Sequence, residues 1–107
     1  MAGMSQSSVY RALLFACLFA AAGCGRADPA AGRELYVKQC SGCHGMEGEG
    51  YPQGGVRDLG SPDVQAKSGE RLRRDIVDGV GKMPPTPGLS DQQAANLVAY
   101  VRTLRKS

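Results

Sequence analysis

Residues 38–45 read KQCSGCHG and contain the chain's only histidine with two of its four cysteines. Three chemistries use such a pair of thiols: a redox dithiol, half of a zinc site, or the two anchors of a covalent haem. Zinc takes four Cys, His or carboxylate ligands, commonly as two paired halves. Here one CxxC stands with His44 alone, so carboxylates would have to complete the shell. A thioredoxin-like dithiol needs a βαβ scaffold, and no stretch of useful length alternates as a strand would. A disulfide across CxxC would close a very short loop and contribute little. C-x-x-C-H is also the attachment pattern of c-type haem. Thiols three residues apart fall on one side of a helical turn, where each can form a thioether to the same porphyrin. His44, next in the chain, is then held beneath the iron with a neutral imidazole nitrogen to offer.

An iron held by His44 has a second axial position, and no other histidine exists to fill it. Met46 is two residues from His44, on the same side of the ring, and cannot reach the opposite face. Met83 lies far enough along the chain to pass around a porphyrin. Glycine approaches it and Pro84-Pro85 follow it, which forces extended backbone at Met83 and stiffens the loop. A methionine that only fills a core gap usually sits on a helix or strand. Met83 therefore reads as the second axial ligand.

The elements that must position these groups are helices. Residues 1–23 read as an export signal: Arg11 is followed by the uncharged apolar run Ala12 to Ala22. That run is shorter than the roughly 20 residues a membrane span needs. Cleavage could follow Ala20-Ala21-Ala22, before Gly23. Alternatively Ala21-Ala22-Gly23-Cys24 resembles the bacterial lipoprotein box, with Cys24 as the lipidated first residue. Residues 24–28 form a short tether. Residues 29–107 are the single domain, and Asp28-Pro29 supplies an N-cap and an N1 proline for a helix through AAGRELYVKQC. Gly32 inside it costs roughly 1 kcal/mol relative to Ala, which suggests close approach of another helix. Residues 45–64, rich in Gly and Pro, read as irregular backbone wrapped over something. A second helix starts near Gly69, with Leu72, Ile76, Val77 and Val80 at helical spacing, and Gly79 and Gly81 end it. Three prolines in the eight residues 81–88 exclude helix there. Ser90-x-x-Gln93 is a capping box that opens a last helix with Leu97, Val98, Val101 and Leu104 as its apolar stripe.

Without the leader the chain has neither Phe nor Trp, and its aromatics are Tyr36, Tyr51 and Tyr100. A small domain with such side chains buries a modest core, and a porphyrin would supply the missing apolar filler. The formal charge of the whole chain is +3. That is too weak a bias to argue for a nucleic-acid partner.

CSGCHG, Gly-Lys-Met-Pro-Pro and the terminal LVAYVRTL together resemble the class I monohaem bacterial cytochromes c, over Pro29 to Lys106. The resemblance implies an all-α cytochrome c-like fold, three to four helices and long loops around one covalent haem c. It implies Cys40 and Cys43 as thioethers, with His44 and Met83 as axial iron ligands. In that family the terminal helices cross at a glycine and aromatic contacts, positions that Gly32, Tyr36, Leu97 and Tyr100 match. A Pro often precedes a Leu in the loop after the haem motif, and its carbonyl accepts the histidine N–H. Here Asp58 precedes Leu59, so the carbonyl of Arg57 or of Asp58 is the replacement. Arg57 and Tyr51 are candidates for haem propionate contacts. The implied function is one-electron relay between periplasmic or membrane-bound redox proteins, without catalysis. Lys82 would help dock an acidic partner, and Cys24 would provide membrane attachment if lipidated. The alternative is a five-coordinate haem enzyme or gas sensor with an open sixth site, which would require distal acid–base groups.

Overall fold

The computed structural model describes residues 26–106. The stretch read as an export signal, residues 1–23, and Cys24 lie outside the described residues. Five α-helical segments follow in order: α1 Pro29–Gln39, α2 Ser41–His44, α3 Pro62–Gln65, α4 Gly69–Asp78 and α5 Asp91–Thr103. A 3-10 turn at Pro52–Gly54 interrupts the long loop between α2 and α3. Among the described residues there is no strand, only isolated antiparallel bridges at Tyr51–Val56 and Val80–Met83. The fold is the all-α one expected. The one-turn α2 is the helical turn expected at the paired thiols, whereas α3 and the 3-10 turn lie where the residue pattern suggested only loop.

The helix starts follow local chemistry. Asp28 accepts from the Ala30 N–H ahead of Pro29, and Ser68 accepts from the Arg71 N–H at the start of α4. Ser90 and Gln93 make both halves of the capping box at α5. Helix α4 ends at Asp78 because Gly79 takes φ 80°. Val80 is therefore off the helix and exposed, not on the apolar face that its spacing suggested.

Helices α1 and α5 form the main contact of the fold. They cross at Gly32, where a Cβ would overlap the Asn96 carbonyl and stand 3.0 Å from Tyr100 Cβ. Below the crossing, the Tyr36 and Tyr100 rings lie 5.1 Å apart and tilted by 51°, a favourable aromatic arrangement. Tyr36, Leu97, Ile76 and Tyr100 make one buried cluster, and Val64, Leu72 and Val101 make a second. Leu59 and Val98 pack against both.

The stretch read as a tether is tied down at its end. Asp28 N–H donates to Asn96 Oδ1 at 2.8 Å, and Gln92 Nε2 donates to the Arg26 carbonyl at 3.0 Å. On the opposite side, Gln65 Nε2 donates to the carbonyls of Leu59 and Val101, both at 2.9 Å. Arg102 donates to the carbonyls of Gln65 and Lys67, which would otherwise be unbonded at the end of α3. The N-terminal part of α5 thus holds the entry to α1, and its C-terminal end holds α3 and, through Gln65, the Leu59 end of the loop after the CxxCH turn.

Candidate functional site

The CxxCH residues lie on one turn. The Cys40 N–H closes α1 on the Tyr36 carbonyl at 2.8 Å, and the His44 N–H donates to the Cys40 carbonyl at 3.0 Å. Ser41 Oγ donates back to the Val37 carbonyl at 2.6 Å, fastening α2 to the end of α1. Both cysteines are free thiols. Cys40 is half-buried against the Tyr36 cluster, and Cys43 is exposed. Burial pushes the Cys40 thiol up, and the neighbouring Cys43 adds to the rise.

His44 is oriented from outside its helix. Its Nδ1 faces the Arg57 carbonyl at 3.2 Å. A carbonyl can only accept, so Nδ1 carries the proton, and in the neutral ring Nε2 keeps its lone pair for a metal. Of the two replacement acceptors expected, the structure selects Arg57. The His44 carbonyl is held as well, by the Gly50 N–H at 2.7 Å. Gly45, at φ 84°, turns the chain out of α2, and its carbonyl accepts from the Tyr36 hydroxyl at 2.6 Å. That hydroxyl is buried, and desolvation, with smaller contributions from Cys40, Tyr100 and Glu49, raises its pKa well above the ordinary tyrosine value. Tyr36 therefore stays a neutral donor. Neither this hydroxyl contact nor the role of Gly50 was foreseen. The abundance of glycine after His44 was the available signal, without saying which glycine mattered.

Met83 sits half-buried on a separate segment. Reciprocal bonds between Val80 and Met83, at 3.1 and 2.9 Å, close a tight loop, and the Thr86 N–H secures its exit on the Ile76 carbonyl at 3.1 Å. Gly79 makes this path possible, since a Cβ there would stand 2.7 Å from the Met83 carbonyl oxygen and 2.8 Å from Pro85 N. Lys82, beside the methionine, is exposed. No hydrogen bond among the described residues links this loop to the CxxCH turn.

The two propionate candidates have local partners. The Arg57 guanidinium reaches Asp63 at 3.4 Å in an exposed pair, and the Tyr51 ring lies over Gly54 with 60% of the residue exposed.

The residues fit a covalent haem. The residues that could hold it are two free thiols on one turn, a histidine with its other nitrogen already engaged, and a loop-borne thioether. The large apolar side chains left exposed are Met46, Tyr51 and Val80. Met46 lies two residues from His44 and Val80 is bonded to Met83, so both segments offer apolar surface to a flat apolar group. Among the described residues no group of three or more His, Cys, Asp or Glu is placed to hold a bare metal ion.

Comparison with known proteins agrees. Residues 27–101 match the family model described as cytochrome c oxidase, cbb3-type, subunit III. The chain is 32% identical over 96 residues to cytochrome c-554(547) of Halothiobacillus neapolitanus, covering 73% of this chain and 98% of that protein. Among solved structures, the c-type cytochrome KustC0563 superposes with a TM-score of 0.62 at 32% identity, covering 70% of this chain and 98% of that one. Cytochrome cL from the marine methylotroph Methylophaga aminisulfidivorans superposes with a TM-score of 0.60 at 27% identity. That alignment covers 72% of this chain and 53% of the longer neighbour.

Proposed function

This chain belongs to the c-type cytochrome family of electron carriers with covalent haem c, and on that premise we propose that Cys40 and Cys43 anchor the haem while His44 and Met83 ligate its iron. The observation that carries the proposal is the CxxCH turn itself, with both thiols free and the Nδ1 of His44 spoken for by Arg57. Haem supplies the one-electron chemistry, and His/Met ligation raises its reduction potential relative to other ligand sets. The protein's part is to hold one donor at the end of the one-turn α2 and the other on a short, closed loop. His44 is fixed through ring and backbone, and Met83 is fixed between the Val80 bridge and the Pro84-Pro85 exit. Donors that do not move between oxidation states favour outer-sphere transfer over bond making at the iron.

The carrier works outside the cytoplasm, between periplasmic or membrane-bound redox proteins. The leader at 1–23 supports export, and the Ala21-Ala22-Gly23-Cys24 stretch supports attachment through a lipidated Cys24. Among the described residues no helix is long and apolar enough to cross a membrane. Exposed Lys82 lies beside Met83, where positive charge would steer an acidic partner.

Visible spectra of the purified oxidised and reduced protein test the ligation. A weak long-wavelength Met–Fe(III) band and no rapid binding of carbon monoxide are expected. A high-spin spectrum with ready ligand binding would instead establish the five-coordinate alternative. Mass analysis of the mature N-terminus separates lipidated Cys24 from simple cleavage before Gly23.

A further inference from the structure

Gly50 governs both contacts that hold His44. Its N–H donates to the His44 carbonyl at 2.7 Å. Its α-carbon lies against the carbonyl that the His44 ring faces: a Cβ would overlap the Arg57 oxygen and stand 2.6 Å from both the Arg57 carbon and the Val56 oxygen. The loop between the two contacts has little slack. Tyr51 N–H donates to the Val56 carbonyl at 2.9 Å, and Val56 N–H returns to the Tyr51 carbonyl at 3.0 Å. The 3-10 turn Pro52–Gly54 and left-handed Gly55 complete the closure. This path delivers the Arg57 carbonyl back to residue 50, and there is room for it because residue 50 has no side chain.

We propose that Gly50 is a positioning residue for the haem ligand His44, keeping the Arg57 carbonyl in reach of the ring proton and thereby holding down the reduction potential. The proposal rests on the reading of His44 as an axial ligand. A ligating histidine that donates its other N–H to a carbonyl is fixed in orientation and made more basic. A more basic imidazole stabilises Fe(III) more than Fe(II). Displacing the carbonyl therefore weakens the ligand as a donor and raises the potential. Neighbouring glycines do not share the role, because a Cβ at Gly45 would meet the flexible Glu49 side chain and one at Gly48 the Leu104 side chain.

The test compares Gly50→Ala with Gly55→Ala in the haem-loaded protein. Both positions have positive φ, 66° and 83°, so both variants carry backbone strain. A Cβ at Gly55 meets nothing within 4 Å, so that variant leaves the Arg57 carbonyl in place. Both are expected to lose thermal stability. Only Gly50→Ala should raise the reduction potential, shift the His44 ring-nitrogen resonances of the diamagnetic ferrous protein, and speed exchange of the ring proton. An unchanged potential and ring resonance in Gly50→Ala overturns the proposal, as do equal shifts in both variants. If Gly50→Ala accumulates no holoprotein, the wild-type ring proton decides. Protection from solvent exchange supports the proposal, and free exchange overturns it. A His44→Ala variant that keeps the wild-type six-coordinate spectrum removes the reading of His44 as ligand, a failure distinct from the others.

Discussion

At the scale of single residues, the proposed ligation is tested by setting the two methionines against each other. Met46 is half-exposed on the loop leaving His44, whereas Met83 is partly covered on the loop clamped by Gly79 and Thr86. Met83→Ala is expected to keep its covalent haem, lose the Met–Fe(III) band, bind carbon monoxide readily and show a lower reduction potential. Met46→Ala should leave all four unchanged, and absorption spectra with potentiometry check both. Much of this site was legible in the residues, because CxxCH carries its chemistry in side chains. The acceptor for His44 was legible only as a choice between Arg57 and Asp58, since every residue carries a backbone carbonyl. The parts that went unread share that property. Gly50 and Gly79 act through space they leave for a carbonyl, and Tyr36 acts through a hydroxyl that reaches the Gly45 carbonyl.

At the scale of elements, the crossing of α1 and α5 sets two effects against each other. Gly32→Ala gains roughly 1 kcal/mol of helix propensity. It also drives a Cβ into the Asn96 carbonyl, and backbone cannot swing aside as a side chain would. Overpacking of this kind costs about 1–3 kcal/mol, so the variant should be destabilised by up to about 2 kcal/mol net. Chemical denaturation of the holoprotein measures it, and a gain in stability would refute the close crossing. Gly32 announced the contact because its cost inside a helix needed a reason, while α2 and α3, one turn each, are too short for periodicity to reveal. Helix α4 is tied to the loop before it by Asp75, which bonds Lys67 at 3.0 Å and Arg71 at 3.1 Å. Burial alone would raise this carboxyl, but the two cations outweigh it and hold it below the ordinary aspartate value. A depressed folded-state pKa gives stability that is present above the unfolded value, near pH 4, and is lost as pH falls through the folded value. Asp75→Asn should therefore cost about 1–2 kcal/mol at pH 7 for this partly exposed pair. Against wild type, the gap in melting temperature should narrow below about pH 4, and an equal gap at pH 7 and pH 3 would count against the ion pairs.

At the scale of the whole molecule, the polypeptide leaves its core incomplete. Tyr36 and Leu97 are the largest fully buried side chains, and the buried hydrophobic residues divide into two small clusters joined through Leu59 and Val98. Domains of this size bury a smaller fraction of their surface than larger ones, and small ones commonly rely on a cofactor, metal or disulfide. The α1–α5 crossing is local packing that can persist by itself, with Gly32, the Tyr36–Tyr100 pair and the Asp28–Asn96 bond all within it. The segments after His44 and around Met83 are held mostly by short-range backbone bonds around glycines, with Leu59 and the Tyr36–Gly45 contact among their few links to the core. Loss of haem should therefore separate the two parts. A Cys40→Ser/Cys43→Ser chain, which cannot form thioethers, is expected to keep much of its helical far-ultraviolet signal while losing a cooperative thermal transition. Hydrogen exchange should show residual protection confined to α1 and α5, with the segments 45–60 and 79–88 exchanging freely. Cooperative melting near the holoprotein's temperature, with both segments protected, would show that the chain completes its own core and that haem is not what holds the loops in place.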